Sequence, residues 1–203
     1  MDKVSIIVRT CGRPEVLRGA LESIRKQTYP DVETVVIEDG LEISRQMICT
    51  EYSDLQLRYI STGKRVGRAK AGNLGMKVAQ GKYLNFLDDD DVLYPEHIEI
   101  LLQTLQSAEE KAVYSVAEEA AAIYRKRKRT FYDVRKKVRF REPFNRMYLL
   151  HTNYLPIQSV MFEKSLFEQY GGFRENVDYL EDWDLWVRYA AHTNFKMVNE
   201  ITS

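Results

Sequence analysis

The alternation of two hydrophobic patterns along the first half of the chain constrains the fold most. Short β-branched runs at 4–8 and 34–37 are typical of strands that are buried on both faces. Between such runs, apolar residues recur at helical spacing, as in 16–24 and 69–79. Strands that alternate with helices at this spacing predict βαβ units and therefore an α/β fold with a mostly parallel sheet.

Composition narrows the class of protein. A chain of 203 residues can form one compact domain with a sizeable core. Its 30 basic and 30 acidic residues cancel, so total charge predicts no polyanionic partner. No apolar run reaches the roughly 18 residues that a membrane span requires. Two cysteines are too few for a disulfide framework or a zinc site, and they favour a reduced, cytoplasmic setting.

Polar side chains follow three of the predicted strands at the point where each strand ends. They are Arg9 and Thr10 after the first strand, Glu38 and Asp39 after the second, and the aspartates 88–91 after the fourth. In open parallel sheets the ligand lies outside the carboxyl ends of the strands. We therefore expect these three strand ends to converge on one crevice.

Four consecutive aspartates, 88–91, directly follow the buried strand 83–87. Like charges this close raise each other's pKa, and a bound divalent cation relieves the repulsion. Carboxylate oxygens suit Mg²⁺ or Mn²⁺, which take further ligands from a substrate's phosphates. A solvated acidic turn is the alternative. A cation on a diphosphate would neutralise the charge of a leaving nucleotide, which favours transfer of a phosphate-activated group.

The sequence resembles the glycosyltransferases of family 2, which are inverting enzymes with the GT-A fold. The resemblance covers 4–203 and depends on ordered fragments: VSIIVRT (4–10), RP (13–14), LESIRKQTY (21–29), VIEDG (36–40), GKYLNFLDDDD (81–91) and EDWDLW (181–186). It implies a Rossmann-like, mostly parallel central sheet with flanking helices and a smaller acceptor-side subregion. The donor-binding half would be 1–116 and the acceptor-binding half 117–203.

For the donor nucleotide, the resemblance assigns Asp39 to hydrogen bonding with the base, usually uracil. Thr10 and Arg13 would line the same pocket, so a UDP-sugar is the expected donor. The family often has Asp-Asp-Gly-Ser after the second strand, whereas this chain has EDGL at 38–41. That departure puts a role for Glu38 in doubt more than the role of Asp39.

For the metal, the resemblance implies that Asp88 and Asp90 frame an Asp-x-Asp motif that binds Mn²⁺ or Mg²⁺. Asp90 is the preferred direct ligand, and Asp88 or Asp89 would reach the ribose or the donor sugar. Arg68 and Lys70 lie near the start of a predicted helix, where they are candidates for diphosphate contact. A solvated helix face is the competing interpretation of these two cations.

The resemblance also implies that Asp182 is the general base, which removes a proton from the acceptor hydroxyl. The alternative role for Glu181 and Asp182 is a favourable interaction with the helix dipole, and both roles are compatible. Trp183 is assigned equally to an acceptor-sugar platform and to the core, whereas Trp186 is assigned to the core.

A strongly basic segment, 125–141, holds ten cations against one acid, Asp133. It predicts a solvated β-hairpin or loop, or a peripheral contact with anionic lipids at the inner face of a membrane. No nucleic-acid-binding module accompanies it, so no nucleic-acid partner is predicted. The acceptor would be a saccharide or a lipid-linked molecule, selected by the irregular region 117–154.

Two other functions remain open. A sugar-phosphate nucleotidyltransferase would need a glycine-rich loop with an arginine after the first strand, and TCGRP at 10–14 matches that poorly. A non-catalytic nucleotide-sugar-binding module is disfavoured because both 88–91 and Asp182 are present. The abrupt end after 195–201 indicates a truncated chain or the catalytic module of a longer protein.

Overall fold

The structure is a computed structural model that describes residues 1–125, 130–177 and 179–203. Its first ten elements, in chain order, are β1 (Val4–Thr10), α1 (Pro14–Arg25), β2 (Val32–Glu38), α2 (Arg45–Glu51), β3 (Leu57–Ser61), α3 (Arg68–Val78), β4 (Tyr83–Asp88), α4 (His97–Ser107), β5 (Ala112–Arg125) and β6 (Thr130–Phe140). The remaining elements are α5 (Arg146–Leu149), a 3₁₀ turn (Ile157–Ser159), β7 (Val160–Glu163), α6 (Lys164–Tyr170), α7 (Glu181–Ala190) and β8 (Phe195–Ile201).

The central sheet has the order β3-β2-β1-β4-β7-β5, and β8 pairs with β5. Strands β3, β2, β1 and β4 are parallel neighbours, and β8 is parallel to β5. Only β7 runs antiparallel to both of its neighbours within this described sheet. The prediction of an α/β fold with a mostly parallel sheet is therefore confirmed.

The sheet separates two hydrophobic cores. Successive residues of a strand point to opposite faces, so Ile6 and Val8 of β1 join one core and Ile7 joins the other. Helices α1, α2 and α4 cover the Ile6 face, whereas α3 and α7 cover the Ile7 face. Every residue of β1 is buried, as its β-branched run predicts.

Helix α3 lies unusually close to the sheet. A Cβ atom on Gly75 would stand 2.3 Å from Cγ2 of Ile7, so only glycine permits this approach. The helix begins after Gly67, whose φ of 94° is readily adopted only by glycine. These two glycines bring the first turn of α3, with Arg68, to the carboxyl end of the sheet.

The structure departs from the predicted elements in three places. Helix α2 was not predicted from the sequence, since only Met47 and Ile48 of its seven residues are buried. The strand predicted at 112–116 continues to Arg125 and pairs with β6 as a long antiparallel hairpin. The strand predicted at 157–162 begins as a 3₁₀ turn.

The hairpin interpretation of the basic segment is confirmed where the segment is described, and 126–129 lie outside the described residues. In the described part of the chain, no helix is long and apolar enough to cross a membrane.

Candidate active site

A crevice opens at the carboxyl ends of β1, β2 and β4, where the sequence predicts it. Its volume is about 860 Å³, within the usual range for a small-molecule site. All seven donor-side residues predicted from the sequence line it: Thr10, Arg13, Asp39, Arg68, Asp88, Asp89 and Asp90. The other lining residues are Arg9, Cys11, Arg65, Gly67, Ala71 and Tyr179. A crevice that combines carboxylates with arginines suits a ligand with both hydrogen-bond donors and negative charge.

Asp39 is held at the floor of the crevice by the loop that precedes α3. Its Oδ1 accepts from the amide of Val66 at 2.6 Å, and its Oδ2 accepts from the amide of Gly67 at 3.0 Å. These bonds fix the carboxylate and tie the end of β2 to the start of α3. The neighbouring Glu38 is fully buried and accepts from the amides of Ile43 and Ser44, so it serves the fold.

Thr10 and Arg13 both bind Asp89. The hydroxyl of Thr10 donates to Oδ2 of Asp89 at 2.6 Å, and the Arg13 guanidinium donates to both oxygens of the same carboxylate. Asp89 is buried, and burial raises its pKa, while the bonds from Thr10 and Arg13 lower it. Half of the Arg13 side chain remains exposed, so it can also meet a ligand.

Asp90 is the aspartate of the run that is most available to a ligand. Its side chain is 58% exposed, and its described contact is a long one, 3.4 Å from Nη1 of Arg13. Asp91 is partly buried, and its burial together with the charges of Asp88, Asp90 and Asp89 raises its pKa to about 7. In the described ion pairs of the run, Arg9 binds Asp88, and Arg13 binds Asp89 and Asp90.

The aspartate run fits a hard divalent cation that is shared with a substrate. Among the described residues, no group of three or more His, Cys, Asp or Glu side chains is arranged to hold a metal by itself. Mg²⁺ commonly takes only one or two carboxylates and completes its shell with water and phosphate oxygens. The exposed Asp90 carboxylate, beside a crevice with arginines, matches that donor set.

Asp88 makes a different contact from the one expected of a simple metal ligand. Both of its oxygens accept from Arg9, Oδ1 from Nε at 2.7 Å and Oδ2 from Nη2 at 2.9 Å. The third arm of that guanidinium, Nη1, donates to Oε1 of Glu181 at 2.8 Å. Asp88 and Glu181 together raise the pKa of Arg9, so the guanidinium stays charged although it is buried.

The sequence predicts no specific role for Arg9, although a signal for one exists. An arginine at the end of a strand whose other members are buried must itself meet an anion, because a buried unpaired charge is very costly. The fragment EDWDLW supplies one such anion in Glu181, and the run 88–91 supplies the other.

Asp182 lies in the first turn of α7 and is largely buried, and it is not among the residues that line the crevice. Its Oδ2 accepts from the side-chain amide of Asn153 at 3.1 Å, and its Oδ1 accepts from the backbone amide of Trp183 at 2.9 Å. Burial raises the pKa of Asp182, these two bonds lower it, Glu181 raises it and Arg9 lowers it. A carboxylate with a raised pKa is a stronger base, as a proton acceptor needs to be.

The two tryptophans of α7 differ in environment. Trp186 is fully buried and donates from Nε1 to the carbonyl of Leu155, which confirms its assignment to the core. Trp183 is half-buried, packs on the same core and donates from Nε1 to the carbonyl of Leu149 at 2.6 Å. Its ring edge is therefore committed to the protein, and only part of its surface is free for a ligand.

Comparison with known proteins supplies relatives over most of the chain. The pattern described as Glycosyl transferase family 2 matches residues 5–171. The uncharacterized glycosyltransferase YwdF of Bacillus subtilis (strain 168) is 31% identical over 197 residues, which cover 97% of this chain and 71% of that protein. The uncharacterized glycosyltransferase RP339 of Rickettsia prowazekii (strain Madrid E) is 29% identical, with 98% and 62% covered.

Solved structures share the fold at low identity. The S. aureus TarS fragment 1-349 in complex with UDP-GlcNAc matches with a TM-score of 0.78 at 17% identity, over 98% of this chain and 57% of that one. The mannosyltransferase PcManGT from Pyrobaculum calidifontis, in complex with GDP-Man and Mn²⁺, matches with a TM-score of 0.73 at 18% identity, over 99% and 56%. The chain therefore spans less than two thirds of both solved chains, and its fold is the GT-A fold that the sequence predicts.

Because the family pattern covers most of the sequence and the fold agrees with it, the chain belongs to glycosyl transferase family 2.

Proposed function

We propose that this chain transfers a sugar from a nucleoside-diphosphate sugar, a UDP-sugar, to an acceptor hydroxyl with inversion at the anomeric carbon. One observation carries the proposal. The ends of β1, β2 and β4 and the start of α3 bring Asp39, the aspartates 88–90 and four arginines to one crevice of about 860 Å³. TarS and PcManGT, which share the fold, have been solved with UDP-GlcNAc and with GDP-Man.

On the donor side, Asp39 would accept a hydrogen bond from the nucleobase. Its carboxylate is held rigid by two backbone amides, so its free lone pairs have a fixed direction. Arg68 starts helix α3 at the crevice, where the helix dipole and the guanidinium both favour an anionic diphosphate. Arg13 also lines the crevice, and its exposed surface would complete the cationic lining.

Mn²⁺ or Mg²⁺ would be held by Asp90, with Asp88 beside it, and would supply charge neutralisation for the leaving diphosphate. Asp89 would orient Arg13 and Thr10 rather than bind the ion, since its two oxygens already accept from these side chains. The complex of PcManGT with Mn²⁺ supports a metal-assisted transfer.

On the acceptor side, Asp182 would remove the proton from the attacking hydroxyl. The bond from the acceptor oxygen to the anomeric carbon forms as the bond from that carbon to the phosphate oxygen breaks. The electron pair leaves on the nucleoside diphosphate, and the proton moves to Asp182. Asn153 and the amide of Trp183 would keep the carboxylate oriented during this step.

A saccharide or a lipid-linked molecule would be the acceptor, and the hairpin would make a peripheral membrane contact. The described cations of its basic strand and of the residue that follows it are all exposed: Arg135, Lys136, Lys137, Arg139 and Arg141. Each cation near an anionic surface contributes on the order of 1 kcal/mol. Sedimentation with phosphatidylserine vesicles, compared with phosphatidylcholine vesicles and with Lys137→Glu/Arg141→Glu, tests this contact.

Calorimetric titration with UDP, with and without Mn²⁺, tests the donor site on the intact chain and on Asp90→Ala. We expect binding that strengthens with Mn²⁺ and loses that dependence in the variant. Metal-independent binding in both proteins would contradict the role of Asp90, and stronger binding of GDP would contradict the assignment of a UDP-sugar. UDP release from UDP-GlcNAc, and the absence of pyrophosphate release from UTP with a sugar phosphate, separate a transferase from a nucleotidyltransferase.

A further inference from the structure

We propose that Arg9 is a positioning residue that joins the aspartates of the donor site to the helix that carries the base. The inference rests on the proposed function, because it assigns a task to Arg9 within that transfer. The established family membership gives Arg9 no role, and its contacts connect the parts of the site that must act together.

The first argument is the hydrogen-bond geometry. A guanidinium is a rigid planar fork, and all three of its nitrogens are committed here. Nε and Nη2 hold both oxygens of Asp88 at the end of β4, and Nη1 holds Glu181 at the start of α7. One rigid group thereby fixes the distance between elements that are far apart in sequence.

The second argument is the packing around the guanidinium. The rings of Phe86 and Phe173 each lie 5.6 Å from Cζ of Arg9, so aromatic faces enclose the cation. Phe86 belongs to β4, and Phe173 lies in the segment that leads to α7. The same two regions that Arg9 joins by hydrogen bonds therefore also hold it in place, and Arg9 is only 7% exposed.

The third argument is the position of Glu181 beside Asp182. Helix α7 begins after Leu180, whose φ of 59° is rarely adopted by a residue with a side chain. Such a start needs a fixed contact to maintain it. Glu181 supplies that contact through Arg9, and it is 1% exposed, so the next residue along the chain is set in place relative to Asp88.

Within the described residues, Oε2 of Glu181 has no hydrogen-bond partner, and Nε of Arg68 stands 3.8 Å from Oε1. A carboxylate placed only to stabilise the fold would be expected to have both oxygens satisfied. Glu181 is nevertheless buried with one oxygen unpaired, at the start of α7, which carries the proposed base Asp182. That pattern is typical of a group retained for its position rather than for stability.

The test compares Arg9→Met and Arg9→Lys with Leu102→Ala, which removes a buried side chain of α4 outside the site. UDP release from UDP-GlcNAc with Mn²⁺ is measured below the melting temperature of every variant. We expect kcat to fall about 100-fold in Arg9→Met, as a misplacement of about 1 Å can cause, with a partial return in Arg9→Lys. UDP affinity should change far less than kcat, because Asp39 is held by the amides of Val66 and Gly67 and does not depend on Arg9 for its position.

A pH profile separates positioning from folding. Arg9 lowers the pKa of Asp182 and Glu181 raises it, while burial and the bonds from Asn153 and Trp183 are common to all variants. The acid limb of kcat/KM should therefore move to higher pH in Arg9→Met and to lower pH in Glu181→Gln. Leu102→Ala should move it in neither direction. If Arg9→Met is unstable, Arg9→Met/Glu181→Met removes both buried charges and keeps the loss of kcat testable.

Hydrogen–deuterium exchange gives a measurement that does not need turnover. The amides of the first turn of α7 should exchange faster in Arg9→Met but not in Leu102→Ala. A kcat and an exchange rate in Arg9→Met equal to those of Leu102→Ala would overturn the proposal. Failure of the unmodified chain to release UDP would instead contradict the proposed function, and the exchange data would still decide whether Arg9 fixes α7.

Discussion

We propose that 1–116 binds the donor and that 117–203 binds the acceptor, and we call these two stretches the donor half and the acceptor half. The two halves build their parts of the candidate site in different ways. In the donor half, parallel pairing sets the side chains: Thr10 is opposite Glu38 across β1 and β2, and Arg9 is opposite Asp88 across β1 and β4. The acceptor half includes a long hairpin, the short helices α5 and α6, loops, and the ten-residue helix α7.

The two halves therefore differ in how firmly they position their side chains. A one-residue shift of the parallel register would move every side chain of β1 from one hydrophobic core to the other, so the donor residues are fixed by the whole core. The acceptor half depends on individual contacts, such as those from Arg9 to Glu181 and from Asn153 to Asp182. On the proposed assignment, changes in the acceptor half would alter the choice of acceptor without altering the donor site.

The largest expected effect separates catalysis from donor binding. Asp182→Asn should lower kcat by about 10²–10⁴-fold, because an amide cannot take a proton from the acceptor hydroxyl. UDP affinity should be unchanged, since Asp182 does not line the crevice. Calorimetry with UDP and a UDP-release assay measure the two quantities on one preparation.

The control for that prediction is Asp184→Asn in the same helix. Asp184 pairs with Arg174 and Arg188, so its replacement should leave kcat largely intact. If Asp182→Asn and Asp184→Asn lower kcat equally, the loss comes from a disturbed helix α7 and not from removal of the base.

The same contrast explains how much the sequence predicts. The strand ends of the donor half follow from buried runs, and Asp39, Arg13 and the aspartates 88–90 lie where those ends predict. The hydrogen bonds between side chains of the site cannot be predicted from the buried runs. Arg9 and Asp88, for example, are 79 residues apart and come together only because β1 and β4 are neighbours in the sheet. In the acceptor half, the antiparallel pairing of β5 with β6 depends on a partner strand that local periodicity does not identify.

A second prediction concerns the junction of the halves, where His97 of α4 is fully buried and its Nδ1 lies 2.7 Å from Oγ1 of Thr202. Burial lowers the pKa of His97 from 6.5 to about 3, so the folded state keeps the ring neutral. The unfolded chain binds a proton below pH 6.5. The contribution of His97 is therefore complete above pH 6.5 and is lost as the pH falls from 6.5 towards 3.

The slope of this loss approaches about 1.4 kcal/mol per pH unit for one proton. Urea unfolding at pH 7.5, 6 and 5 measures it, and His97→Gln should flatten the dependence. His151→Gln, at an exposed position, should keep the slope of the unmodified chain. A pH dependence that is equal in all three proteins would show that His97 does not couple protonation to folding.

A third prediction tests how tightly the donor half is packed. Gly75→Ala should destabilise the fold by about 1–3 kcal/mol, because the new methyl would meet Ile7 and force α3 away from the sheet. Gly19→Ala in α1 is the matched control, since nothing lies within 4 Å of the added atom. That control should stabilise by up to about 1 kcal/mol, as alanine is the better helix former. Thermal or urea unfolding measures the free energy of unfolding of both variants. An unchanged value in Gly75→Ala would show that the sheet accommodates the methyl group at low cost.

The smallest expected effect is on the exposed hairpin, where Arg139 pairs with Glu119 across β6 and β5. Both side chains are more than half exposed, so water competes for them and salt screens their attraction. A double-mutant cycle with Arg139→Ala and Glu119→Ala should give a coupling energy of about 0.2–1 kcal/mol, falling as salt rises. A coupling well above this range, insensitive to salt, would contradict the distinction between the halves, because it would mean that single contacts in the hairpin determine stability as strongly as the core does.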